Sequence, residues 1–117
     1  MNLNSILIGS EEPQRLVTYY TGLFGEPEWR EGPYTGWRIG TGGVLVGPHD
    51  AVKGANLQPG RIIWNLESDD VAADFERLKA AGAVVVQEPY NPSGTSVASV
   101  ATFSDPDGNY FQLVSPM

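Results

Sequence analysis

Residues 10–23 and 68–78 of this chain repeat one pattern, and an internal repeat limits the possible folds more tightly than any other feature of a sequence. Ser10-Glu11-Glu12-Pro13 leads into Val17, Tyr20 and Leu23, and Ser68-Asp69-Asp70-Val71 leads into Phe75 and Leu78. At an offset of 58, Ser10 falls on Ser68, Val17 on Phe75 and Tyr20 on Leu78. The apolar spacing predicts two amphipathic helices. A hydroxyl or carboxylate near each start can accept free backbone amides, and acids in the first turn suit the positive end of the helix dipole. Gly22 and Gly25 are expected to close the first helix and Gly82 the second, because glycine tolerates the positive φ of a helix stop.

A strand precedes each helix, over residues 3–9 and 62–67, and three more follow it. In the first half these lie around Glu28-Trp29-Arg30, Gly36-Trp37-Arg38-Ile39 and Val44-Leu45-Val46. In the second they are Val84-Val85-Val86-Gln87 and the stretches 97–103 and 110–114. The halves close on similar text, Leu45-Val46-Gly47-Pro48 and Leu113-Val114-Ser115-Pro116, at an offset of 68. The order is βαβββ twice, in modules of about residues 1–58 and 59–117, joined by the polar stretch 48–60. In each strand one face must cover its helix and the other must line something else. The expected fold is therefore a single α+β domain of two tandem βαβββ modules, forming facing curved mixed sheets around a cleft. A length of 117 residues suits one such domain and is short for two ordinary ones.

Charge narrows the partners. Seven basic residues against 14 acidic give a formal charge of −7 with no Lys/Arg cluster, so nucleic acid is not an expected partner. No apolar run approaches the roughly 20 residues that span a bilayer. Met1-Asn2-Leu3-Asn4-Ser5 has no basic leader character, so a cytoplasmic location is expected. The absence of cysteine excludes disulfides, thiol catalysis and thiolate metal sites.

With these elements in place, the chain resembles the vicinal oxygen chelate superfamily, the glyoxalase, bleomycin-resistance and extradiol-dioxygenase group. The resemblance rests on Tyr19-Tyr20-Thr21-Gly22-Leu23-Phe24-Gly25, on Asp69-Asp70-Val71 through Leu78-Lys79-Ala80-Ala81-Gly82, and above all on Asp105-Pro106-Asp107-Gly108-Asn109 leading into Tyr110-Phe111-Gln112-Leu113-Val114. The DPDGN segment also has its own physical logic, since Asp-Gly and Gly-Asn supply the positive φ that reverses a strand.

In metal-dependent members of that superfamily the ligands come from the first and last strand of each half. The resemblance projects these positions onto Ser5, Val44, Ile63 and Gln112. A divalent ion needs three or four converging nitrogen or oxygen donors. Two of these four side chains are hydrocarbon, so no metal and no cofactor is expected. His49 reads as a solvated loop residue beside Asp50 rather than a base. Asp105 and Asp107 read as turn residues bonded to their own backbone, and Asp69 and Asp70 as helix-start residues.

Strand alternation from Ser5 and Ile63 puts Leu7, Asn65 and Glu67 on the cleft side, and from the closing strands adds Val44, Val46, Tyr110 and Gln112. The opposite parity collects Ile6, Ile8, Trp64, Leu66, Phe111 and Leu113 to cover the helices. Trp37 joins the expected cleft, and Trp29 and Tyr34 offer flat surfaces either for stacking or for core and dimer contacts. Such a mixed lining implies a metal-free protein that binds a small, partly aromatic ligand. The alternative is a glyoxalase-like metal-dependent lyase, isomerase or dioxygenase. The resemblance also implies a homodimer.

Overall fold

The computed structural model describes residues 1–116, which form two compact units, residues 1–55 and 56–117 with the last residue outside the description. In the first, strand β1 (Ser5–Gly9) leads to helix α1 (Pro13–Phe24) and strands β2 (Trp29–Glu31), β3 (Tyr34–Ile39) and β4 (Gly42–Gly47). In the second, strand β5 (Trp64–Glu67) leads to helix α2 (Val71–Ala80) and strands β6 (Val84–Tyr90), β7 (Val100–Ser104) and β8 (Tyr110–Val114). One 3-10 turn, Pro59–Arg61, precedes β5. Each unit has one four-stranded mixed sheet, ordered β1-β4-β3-β2 and β5-β8-β7-β6, in which the first strand runs parallel to the last and the other pairs are antiparallel. The fold is α+β with βαβββ twice.

The two serines of the repeat do equivalent work. Ser10 Oγ accepts from the Glu12 amide at 3.0 Å, and Ser68 Oγ accepts from the Asp70 amide at 3.2 Å. Both serines are buried, where an unpaired hydroxyl would be costly. Ser68 also donates to Asp74 Oδ2 at 2.6 Å, and Asp70 caps α2 by accepting from the Ala73 amide. The first helix departs from expectation in two places. Its acids precede the first turn, with Glu12 as N-cap and Pro13 at the first helical position. Gly22 lies inside α1, and Gly25 alone ends it at φ 87°.

Helix α1 buries Leu16, Val17, Tyr20 and Leu23 against its sheet, and α2 buries Val71, Phe75 and Leu78. In the second unit Phe75, Phe103 and Phe111 stack in a row, with centroid separations of 5.4 and 5.3 Å. In the first, Trp37 lies edge-on to Tyr20 at 6.1 Å and its indole Nε1 donates to Gly25 O at 2.9 Å, tying the sheet to the helix end. Edge strands are blunted: β2 is only three residues long, while β6 carries two register shifts and Pro89. No helix among the described residues is long and apolar enough to cross a membrane.

Candidate functional site

The β1–β4 ladder decides which side chains share a face. Ser5 pairs with Gly43, Ile6 with Val44, Leu7 with Leu45 and Ile8 with Val46. Ile8, Val44 and Val46 are buried with α1. Val44 and Val46, expected on the open face with Ser5 and Leu7, therefore lie on the helix side. Trp37 pairs with Val44 and goes with it, 1% exposed. These three expectations are corrected together. The textual match of Leu45 with Leu113 hid the slip, because the structural equivalence is one residue different. The Ser10 amide donates to Gly47 O and the Ser68 amide to Val114 O, so the closing strands correspond at an offset of 67.

The second unit keeps the expected parity. Asn65 pairs with Gln112 and Glu67 with Val114, opposite the buried Phe111 and Leu113. Gln112 Nε2 donates to Thr102 Oγ1 at 2.9 Å on the neighbouring strand. Asn65 and Glu67 are exposed, Tyr110 and Gln112 partly so, and Ile63 sits just before β5, half-buried.

The open face of the first sheet carries what the sequence reading missed. Its floor is glycine. A Cβ on Gly36 would stand 2.7 Å from Trp29 Cε3, and one on Gly43 would stand 3.3 Å from Trp29 Cζ3. At Gly47 a Cβ would collide with the Tyr34 ring. Both rings thus lie over bare backbone, a close approach that strand glycine permits, and the side of Trp29 away from the glycines is taken by Arg38. Trp29 and Tyr34 are 38% and 37% exposed, far more than core aromatics. Around them is a hollow of about 280 Å³, near the roughly 300 Å³ at which small-molecule sites begin. Ser5, Leu45, Glu31 and Arg38 contribute to its lining, with Asn4 and Thr41 at one end. The guanidinium of Arg38 sits over the Trp29 ring at 5.1 Å from its centroid, a cation–π arrangement. The signal for this floor was present as Gly36, Gly43 and Gly47 in otherwise strand-forming text.

Valine at Gly36 should lift the indole off the floor. Because Trp29 is on a short edge strand it can move, so the stability cost should sit near the low end of the ~1–3 kcal/mol typical of overpacking. Near-ultraviolet circular dichroism should change while cooperative thermal unfolding persists. An unchanged spectrum would mean that the ring does not rest there.

The donors at the superfamily's metal positions do not fit a divalent ion. With the corrected register the last-strand position of the first unit is Leu45 rather than Val44, again hydrocarbon. Ser5 offers a neutral hydroxyl, Ile63 nothing, and Gln112 a single neutral amide oxygen, its Nε2 donating to Thr102. Among the described residues no group of three or more His, Cys, Asp or Glu could hold a metal. His49 is exposed in the loop after β4, its Nδ1 accepting from the Ala51 amide at 3.1 Å and lying 3.5 Å from Asp50 Oδ1. Asp105 accepts from the amides of Asp107 and Asn109, as a turn residue should.

The fold recurs in solved structures. A glyoxalase/bleomycin resistance protein/dioxygenase family enzyme from Burkholderia phytofirmans PsJN aligns over 100% of both chains with TM-score 0.73 and 20% identity. TnmS3, an antibiotic binding protein from Streptomyces sp. CB03234, aligns over 100% of this chain and 97% of its own with TM-score 0.72 and 21% identity. Lactoylglutathione lyase from Agrobacterium tumefaciens aligns over 97% and 92% with TM-score 0.72 and 15% identity. A search among curated proteins gives no match. The sequence profile of a glyoxalase-like domain matches residues 5–114, nearly the whole chain, and with the doubled βαβββ architecture this places the protein in the glyoxalase-like family of the vicinal oxygen chelate superfamily.

Proposed function

We propose that this protein binds a small, partly aromatic molecule and holds it without transforming it. One observation carries the reading: Trp29 and Tyr34 lie over glycine backbone, 38% and 37% exposed, and both line a small hollow. Exposed aromatic rings against a sheet offer a large apolar contact surface to a second ring. The metal-dependent alternative lacks support in the donor set, and the antibiotic-binding description of one structural neighbour agrees with a sequestering role. A homodimer in the cytoplasm completes the proposal, with size-exclusion chromatography and light scattering as the check on the dimer.

Calorimetric titration with a panel of bicyclic and tricyclic aromatic compounds tests the binding. Saturable one-to-one binding is expected, weakened roughly tenfold or somewhat less by Trp29→Ala, as loss of a single aromatic contact implies. No binding across the panel would overturn the proposal. Elemental analysis of the purified protein tests the other half, since stoichiometric bound metal would sink the non-catalytic reading.

A further inference from the structure

The hollow on the first sheet is electrically polarised. Arg38 is the cationic side chain among its lining residues, in a chain whose formal charge is −7. Other cations have local partners: Arg30 lies 3.9 Å from Glu26, Lys53 3.9 Å from Glu11, and Arg77 3.5 Å from Asp74. Among the described residues no carboxylate forms an ion pair with the Arg38 guanidinium. Glu28 instead accepts from the Arg38 backbone amide at 2.8 Å, and the Arg38 side chain projects over Trp29.

The acid of the hollow is at its other end. Glu31 pairs with Tyr34 across β2 and β3, and Arg38 is four residues farther along β3, about 14 Å away at the rise of an antiparallel strand. A planar guanidinium held beside an aromatic plane presents two parallel N–H donors, the geometry that a carboxylate accepts. The same acid that would repel an anion at the Tyr34 end favours placing it at the Arg38 end.

Building on the binding reading above, we propose that the ligand class of this hollow is a planar aromatic carboxylate, its ring against Tyr34 and the exposed edge of Trp29 and its carboxylate held by Arg38. The Glu31 end sets the orientation, so a positively charged or neutral substituent is favoured there. The protein would thus select aromatic acids from among neutral aromatics of the same shape.

The test compares 2-naphthoate with 2-naphthamide, which has the same rings without the charge, by calorimetric titration at low salt. The wild type should bind the naphthoate about tenfold more tightly, as a partly solvated charge-assisted pair allows. Arg38→Gln should erase that difference while retaining amide binding, and Arg38→Lys should restore only part of it for want of a planar fork. Added salt should narrow the gap in the wild type and in Arg38→Lys and leave Arg38→Gln unchanged. Equal affinity for the two compounds in the wild type would overturn the carboxylate preference and leave the binding reading standing. Equal weakening of both by Arg38→Gln would overturn the preference too, showing that Arg38 only positions Trp29. Failure of both compounds to bind, alongside failure of the wider aromatic panel, would overturn the two together.

Discussion

Trp37→Ala should destabilise the protein by about 3–5 kcal/mol, the usual cost of removing a large buried aromatic. Trp37 is 1% exposed, touches Tyr20 edge-on, and donates from Nε1 to the carbonyl of Gly25, the residue that ends α1. Alanine there opens a cavity on the helix side of β3 and leaves the Gly25 carbonyl at the end of α1 without its tie to the sheet. Since whole domains are held by only ~5–15 kcal/mol, urea or thermal denaturation should show a large loss. Trp37→Phe keeps most of the ring and loses the hydrogen bond, so it should cost roughly 1–2 kcal/mol. The pair also tests the face assignment. Were Trp37 a wall of the open face, as strand text alone suggests, alanine would weaken ligand binding and barely change stability. A Trp37→Ala protein within about 1 kcal/mol of wild type would return Trp37 to the open face and shift the register of β3 and β4 with it.

The error that put Trp37, Val44 and Val46 on the wrong face shows what strand sequence can and cannot convey. Helix faces were readable because Val17 and Tyr20, or Phe75 and Leu78, are spaced among polar neighbours at a period no strand shares. The parity of β5 and β8 was readable because Asn65, Glu67 and Gln112 alternate with Trp64, Leu66, Phe111 and Leu113. Gly42-Gly43-Val44-Leu45-Val46-Gly47 has no such alternation: every side chain is apolar or missing, so either face could be the buried one. Parity there is set by tertiary packing, with Val44 against Trp37 and Gly43 beneath Trp29. The glycine floor is only half legible in sequence for a related reason. A glycine records that something lies close to the backbone without recording which ring it is, and Trp29 and Tyr34 come from strands whose pairing only the folded chain reveals. Arg38 was missed because a charged residue in a strand usually means solvent.

Asp105→Ala should cost about 3–4 kcal/mol through a different mechanism, the stranding of buried donors. The Asp105 side chain is 3% exposed. Its Oδ1 accepts from the amides of Asp107 and Asn109, both at 2.9 Å, and its Oδ2 accepts from Asn109 Nδ2 at 3.0 Å. One carboxylate thereby satisfies two backbone amides in the turn between β7 and β8, where Gly108 adopts φ 83°. The turn in turn holds the start of the second unit: the Asn56 amide donates to Asp107 O at 2.7 Å, and Asn56 Nδ2 donates to Asn109 Oδ1 at 3.0 Å. Alanine leaves those amides facing protein with no acceptor, and water can reach them only by opening the turn. Hydrogen exchange at Asp107 and Asn109 should accelerate well beyond the change at the β7–β8 ladder itself. Asp105→Asn retains one acceptor but turns an amide donor toward Asn109 Nδ2, so it should fall between the wild type and alanine, near 1–2 kcal/mol. Were Asp105 instead an acid group poised for chemistry, either substitution would leave stability and exchange nearly unchanged, and that outcome would remove the structural role given to it.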